Sequence, residues 1–349
     1  MYYAGVDYHK RYSVVSVEDE KGKRVMEAVV RGNNPFVFRQ VFSEVKGPVS
    51  VVFEAGWNWS WLYELLEQMP NVEKVVLAHA YKLRLIAETQ IKTDKIDARK
   101  LALLLRLSVI PECHVPDRET RDRKEVVRQR AYWVRERTRL RNRVHRLVAK
   151  QHGLQMPQVT DIFGKRGLAA LRKAVLPEPD MTLLRQCLAV LDELEKVIKA
   201  TEEMIRKDIG DKRVIEILMS VPGIALIIAS IIAVETDGIR RFIRPARYVG
   251  YCGLSPTTHS SGGHVYNGRM MWMCNKWLRW AYIEAAWIAV GCSAYFGGLY
   301  RRERERGKDA NVAITIVGRR MCRMVYQLLM EDRLYQEVGY HRPAALARV

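Results

Sequence analysis

Residues 2–30 read "YYAGVDYHKRYSVVSVEDEKGKRVMEAVV", and the fold turns on how they are divided. "YYAGVD" is a short apolar run ending in an acid. "YSVVSVED" alternates toward a turn at Glu20-Lys21-Gly22-Lys23, and "RVMEAVV" follows it. Three such runs separated by polar turn residues predict a meander that builds an antiparallel half-sheet. "PVSVVFEAG" (48–56) is another apolar strand, and it also ends in an acid, Glu54. A helix ("NWSWLYELLEQM"), a short strand ("EKVVLA", 73–78) and helices carrying Asp94 and Asp97 come next. Antiparallel strands followed by alternating strand and helix predict an α/β domain with a mixed sheet over residues 1–112.

Beyond it the chain changes character. Residues 118–150 hold 13 Lys/Arg against 4 Asp/Glu, with apolar residues at helical spacing, so they predict one long basic amphipathic helix. A second helix is expected over about 181–208. The two could pair as an antiparallel hairpin or as a coiled coil between protomers. The Gly- and Pro-containing stretch 151–180 between them reads as irregular. Residues 113–212 are therefore expected to form a helical or coiled-coil insert, and 213–349 a mostly helical C-terminal domain.

The formal net charge of +19 points to a polyanionic partner, nucleic acid before a membrane surface. The six cysteines show no CxxC spacing, which argues against a zinc ribbon or a disulfide framework and fits reduced thiols in a cytoplasm. The N-terminus has no apolar signal segment. The uncharged run Ile217–Val234 approaches spanning length, but Pro222-Gly223 interrupts it, and it reads as buried helix.

Several constellations could carry chemistry. Asp7 and Glu54 sit where apolar strands end, the place where open α/β sheets gather ligands. Asp94 and Asp97, in "IKTDKIDARKLALLL" (91–105), are three apart and share a helix face. Converging carboxylates repel one another unless cations sit between them, and hard cations such as Mg²⁺ or Mn²⁺ take such oxygen ligands. The rival explanation is ordinary: acids in a first helical turn favour the macrodipole and pair with Lys92, Lys95 and Arg99. "MSVPGIALIIASIIAVE" (219–235) has the pattern of a helix-hairpin-helix, in which Gly223 would let a helix N-terminus approach a phosphate. "YCGLSPTTHSSGGHVYNGRM" (251–270) reads as a loop. Its Ser260 or Ser261 could be a nucleophile, and Gly262 and Gly263 allow close backbone approach. Arg269, Lys276 and Arg279 could reach backbone phosphates.

"GVDYHK", "VVFEAG", "KTDKIDARKLA", "SVPGIALIIASIIAVE", "YVGYCGLSPTTHSSGG" and "NKWLRWAYIEAAW" occur in this order along nearly the whole chain. The set resembles the bacterial insertion-sequence transposases that join an N-terminal RuvC-like (RNase H-like) DEDD domain to a C-terminal serine-bearing transposase domain, some of them bridge-RNA-guided recombinases. The resemblance implies that Asp7, Glu54, Asp94 and Asp97 are the DEDD metal-binding acids. It implies that the serine before the paired glycines, Ser261 with Ser260 in reserve, forms a covalent phosphoserine link to a cut DNA strand. It further implies a composite active site of metal and serine, double-stranded donor and target DNA, a structured bridge RNA, and a homo-oligomer, dimer or tetramer, in the bacterial cytoplasm with no membrane partner. One segment departs from the family pattern Gly-Arg-Ile-Thr-Lys-x-Gly-Asn. It reads "GRMMWMCN" (268–275), so that Gly268, Arg269 and Asn275 match, Met271-Trp272 replaces Thr-Lys and Cys274 replaces the later Gly. Lys276 is the candidate replacement for the missing cation.

Two rivals make different predictions. A RuvC-like metal-dependent junction nuclease would cleave DNA with both serines replaced by alanine. A non-catalytic nucleic-acid-binding protein would keep its function with Asp7 or Asp97 changed to Asn.

Overall fold

The computed structural model describes residues 1–87, 93–151, 157–208, 210–261 and 264–337. The chain divides into two compact units, Met1–Val115 and Pro116–Val349.

The first unit is built on the expected mixed sheet. Strands β1 (Tyr2–Tyr8), β2 (Tyr12–Asp19) and β3 (Arg24–Arg31) form the meander. Helix α1 (Pro35–Ser43), β4 (Val49–Glu54), α2 (Trp59–Glu67), β5 (Val72–Ala78), α3 (Ala80–Ala87) and α4 (Asp94–Arg106) follow. The sheet order is β3-β2-β1-β4-β5, with β4 parallel to both β1 and β5. Period-two patterning splits β4 between two cores. Val51 and Phe53 join Phe38, Phe42, Leu62 and Leu66 on one face, and Val52 joins Leu83, Leu101 and Leu105 on the other. The sequence reading passed over α1. Its start is nonetheless written locally: Pro35 opens the helix, and the Asn34 side chain accepts from the Phe36 N–H at 2.9 Å.

Gly5 positions α4. A Cβ at this point would lie 2.1 Å from the Ala98 carbonyl oxygen and 2.6 Å from the Ala102 nitrogen. Only a residue with no side chain lets the α4 backbone rest on β1. Thr93 caps α4 by accepting from the Ile96 N–H at 3.3 Å, which places Asp94 and Asp97 in the first turn, near the end of β1.

The second unit begins with α5 (Arg118–Ala149), α6 (Lys165–Lys173) and α7 (Asp180–Lys207). Helices α5 and α7 pack antiparallel within the chain. Arg123 meets Asp208, Arg130 meets Glu202, Arg137 and Arg141 meet Glu195, and Lys150 meets Asp180. Five of the 13 basic residues counted at 118–150 are thus matched by acids at 180–208. The stretch read as irregular contains α6, whose Leu171 joins Val144, Leu147, Phe163, Leu184 and Leu188 in a small core. Nine residues are too short for helical periodicity to stand out against flanking Gly and Pro.

A larger core joins α8 (Lys212–Ser220), α9 (Leu226–Thr236), α10 (Pro245–Tyr251), α11 (Lys276–Cys292), α12 (Ala294–Glu305) and α13 (Ala310–Met330). Pro222-Gly223 separates α8 from α9, and among the described residues no helix is long and apolar enough to cross a membrane. Gly223 has φ +87°, and a Cβ there would meet the Ala285 carbonyl oxygen at 2.2 Å, so this glycine lets the turn rest against α11. The segment read as a loop at 251–270 instead holds a hairpin, β6 (Pro256–Ser261) paired antiparallel with β7 (His264–Met270). Two short runs flanking a Gly-Gly pair carry that hairpin signal, which the wealth of Ser, Thr and Gly obscured.

Candidate metal centre and serine hairpin

Asp7 lies one residue from the end of β1, and Val6 and Phe53 are parallel partners, so Glu54 follows on the neighbouring strand. Asp7 and His9 are two apart in a chain still nearly extended, which puts both on one face. The His9 Nε2 lies 3.0 Å from Asp7 Oδ2 and 3.5 Å from Asp94 Oδ1. Tyr12, the first residue of β2, donates its hydroxyl to Asp94 Oδ2 at 2.6 Å. Ligand atoms of Asp7, His9 and Asp94 all lie within 4.8 Å of one another. Two of the four expected acids therefore meet in one tight cluster. Asp97 adjoins it, with Oδ1 3.4 Å from Lys100 Nζ, and Glu54 stands exposed outside it. Lys92 lies outside the described residues. Lys95 and Arg99 pair with Glu27, not with Asp94 or Asp97.

Burial pushes the Asp7 carboxyl above its ordinary range; His9 pulls it back, and the charges of Asp94 and Asp97 push it up again. The Tyr12 hydrogen bond holds Asp94 below the usual range, helped by His9, and the same bond raises the Tyr12 phenol. His9 thus stands where a cation would bridge two carboxylates. Clustered carboxylate oxygens with one imidazole nitrogen at hand suit a divalent metal. His9 and Tyr12 are the members the sequence reading missed. The spacing of Asp7 and His9 within "GVDYHK" was the available signal for the histidine.

The serines lie in the second unit. Ser260 pairs with Val265, and Ser261 pairs with His264 at the last rung of the ladder. Ser260 is exposed, while Gly262 and Gly263 lie outside the described residues. The hairpin is tied at its root. Met271 N–H donates to the Ser255 carbonyl at 3.1 Å, and Asn275 N–H to the Tyr251 carbonyl at 2.8 Å. Arg279 donates to the Met271 carbonyl, so its guanidinium is engaged at this root. Arg269 and Lys276 are exposed.

The first unit thus carries a carboxylate cluster at the end of a mixed α/β sheet, and the second, mostly helical, carries a hairpin with Ser260 and Ser261. Residues 4–152 match the DEDD-type family model described as "Transposase", and residues 215–301 match the model described as "Transposase IS116/IS110/IS902 family". The chain is similar to a Pseudomonas aeruginosa protein named "Probable family 20 transposase", 29% identical over 73% of this chain and 79% of the relative. A Sinorhizobium fredii protein that carries a provisional transposase name is 26% identical over 80% of this chain and 75% of its own length. The "Transposase for insertion sequence element IS1328" of Yersinia enterocolitica is 26% identical over 49% of this chain and 51% of its own. The chain belongs to the IS116/IS110/IS902 family of insertion-sequence transposases.

Proposed function

We propose that this transposase exchanges DNA strands through a serine, with a divalent metal held by the acids of its first unit and a structured RNA directing it to donor and target DNA. The observation that carries this reading is the convergence of Asp7 and Asp94, 87 positions apart in the chain, into one charge-loaded cluster with Asp97 beside it. Asp7 and Asp94 would hold the metal, Asp97 and Glu54 would complete its surroundings, and Tyr12 orients Asp94. Bound there, Mg²⁺ or Mn²⁺ would supply charge stabilisation to a phosphate in displacement.

Ser261 is the preferred nucleophile and Ser260 the alternative. The serine oxygen bonds to phosphorus as one P–O bond of the strand breaks, and the serine proton ends on the released strand hydroxyl. One phosphodiester replaces another, so the step is reversible and rejoining to a new strand repeats it backwards. The exposed arginines in the second half of α5 (Arg135, Arg139, Arg143 and Arg146), together with Arg269 and Lys276, would hold backbone phosphates. Val190, Val197 and Met204 of α7 are exposed at intervals of seven residues, which suits a seam with α7 of a second copy and supports a homo-oligomer.

The test is a nicked DNA substrate incubated with the protein, Mg²⁺ or Mn²⁺, and RNA transcribed from the element's flanks, resolved on a denaturing gel. A covalent protein–DNA adduct that disappears with Ser261→Ala or Asp7→Asn is expected. Cleavage without an adduct in wild type, Ser260→Ala and Ser261→Ala would mean that water attacks, as in a junction nuclease.

A further inference from the structure

Glu235 ends the apolar run "ALIIASIIAVE" and lies in the last turn of α9, where the helix dipole disfavours an acid. It is 1% exposed. A buried charge is retained only where it is fully partnered. Its partners come from two directions. Arg128 of α5 donates to both carboxylate oxygens, Nε to Oε1 at 2.7 Å and Nη2 to Oε2 at 3.0 Å. Asn275 Nδ2 donates to Oε2 at 2.8 Å, and the Tyr251 hydroxyl reaches the Glu235 backbone carbonyl at 3.4 Å.

These residues hold both roots of the serine hairpin. Tyr251 ends α10, just before β6, and Asn275 follows β7. Asn275 also caps α11, its Oδ1 accepting from Trp277 N at 3.0 Å and Leu278 N at 3.1 Å. Trp277, the second residue of that helix, has the Arg128 and Arg135 guanidinium groups over its ring at 5.9 and 5.0 Å. One carboxylate therefore links the basic helix α5 to the point from which the hairpin departs.

We infer that Arg128, Glu235 and Asn275 form a positioning clamp that sets the pose of the serine hairpin from α5, so that engagement of α5 and placement of the serine are mechanically joined. The inference rests on the serine reading above. None of the clamp residues needs to touch the reacting phosphate. Their work is to hold the Ser260–Ser261 end of β6 at a fixed angle from a rigid base, as reactive groups require.

The test uses the full-length protein and two substitutions that keep the local shape. Glu235→Gln keeps the volume and removes the charge. Asn275→Ser keeps an N-cap oxygen and removes the donor to Glu235. Two readouts are taken: hydrogen–deuterium exchange across 256–270, with α13 as the internal reference, and the rate of adduct formation on the nicked substrate at saturating DNA and RNA. Both variants are expected to exchange faster in the hairpin while α13 stays protected, and to form adduct about a hundredfold more slowly at unchanged DNA affinity. Wild-type hairpin exchange and adduct rate in both variants would overturn the clamp. So would accelerated exchange in hairpin and α13 alike, which would make these residues general fold supports. If the wild-type protein forms no adduct, the serine reading fails, and hairpin exchange alone decides the clamp.

Discussion

The acid cluster and the serine hairpin are held in opposite ways. Asp7, His9, Tyr12 and Asp94 come from a strand, a turn, a second strand and a helix, and each is bonded to another member of the set. The hairpin is fastened at its root by Arg279, Asn275 and the Met271 amide, while Ser260 is exposed. The first arrangement is cross-linked by its own hydrogen bonds. The second has its described polar ties at the base. Under the proposed serine reaction, the charge centre would be held rigidly and the nucleophile would sit on a hairpin fastened at its root.

Four experiments would break or sharpen that contrast. The largest effect is expected from Asp7→Asn or Asp94→Asn, which should reduce strand cleavage about 10³-fold or more, with nucleic-acid binding retained in a gel-shift assay. Retained cleavage would remove the acid cluster from the chemistry. Next comes Gly5→Ala. Its Cβ meets backbone that no rotamer can move, so equilibrium denaturation should show a loss of about 1–3 kcal/mol, with weakened metal binding in parallel. Unchanged stability would mean that α4 is not seated on β1 as described.

Tyr12→Phe removes one hydroxyl and leaves the ring. Calorimetric Mn²⁺ titration should show affinity lower by about tenfold, the usual scale for a partner that orients a ligand. No change would mean that Asp94 is oriented without the Tyr12 hydroxyl, by His9 and the backbone. The smallest structural disturbance is Val197→Glu on α7, which should leave the melting temperature within a few degrees and shift the protein toward monomer in sedimentation velocity. An unaltered sedimentation profile would exclude this helix face as the seam between copies.

The contrast also explains what could be read in advance. The strands of the first unit were legible because their apolar periods and turn residues are local. Of the acids read from strand ends and a first helical turn, Asp7, Glu54, Asp94 and Asp97, the structure brings Asp7 and Asp94 into one cluster. His9 and Tyr12 were not legible, since their roles depend on the turn between β1 and β2 and on α4 descending onto Gly5, which couple residues some 80 positions apart. Helix α6 and the hairpin were missed for a different reason. Helix α6 is only nine residues long and is flanked by Gly and Pro, while the hairpin is rich in Gly, Ser and Thr; packing decides both. Glu235 was visible as the end of an apolar run, but its meaning lies in Arg128 and Asn275, neither of which is near it in the chain.

The pairing of α5 with α7 has a consequence for how the protein should respond to salt. A net charge of +19 suggests that binding expels a large cloud of counterions. Yet Arg123, Arg130, Arg137, Arg141 and Lys150 are already matched by acids at 180–208, and of the exposed arginines of α5, Arg135, Arg139, Arg143 and Arg146 form a row along its second half, Arg139 also meeting Glu136. Contact through that row alone would displace about one condensed cation per arginine, a logarithmic salt slope between about −3 and −4 on duplex DNA. The helix that looks most like an electrostatic magnet would then act as a ruler, with few charges at fixed spacing, and remain selective for backbone geometry at salt concentrations where a diffuse cation would let go.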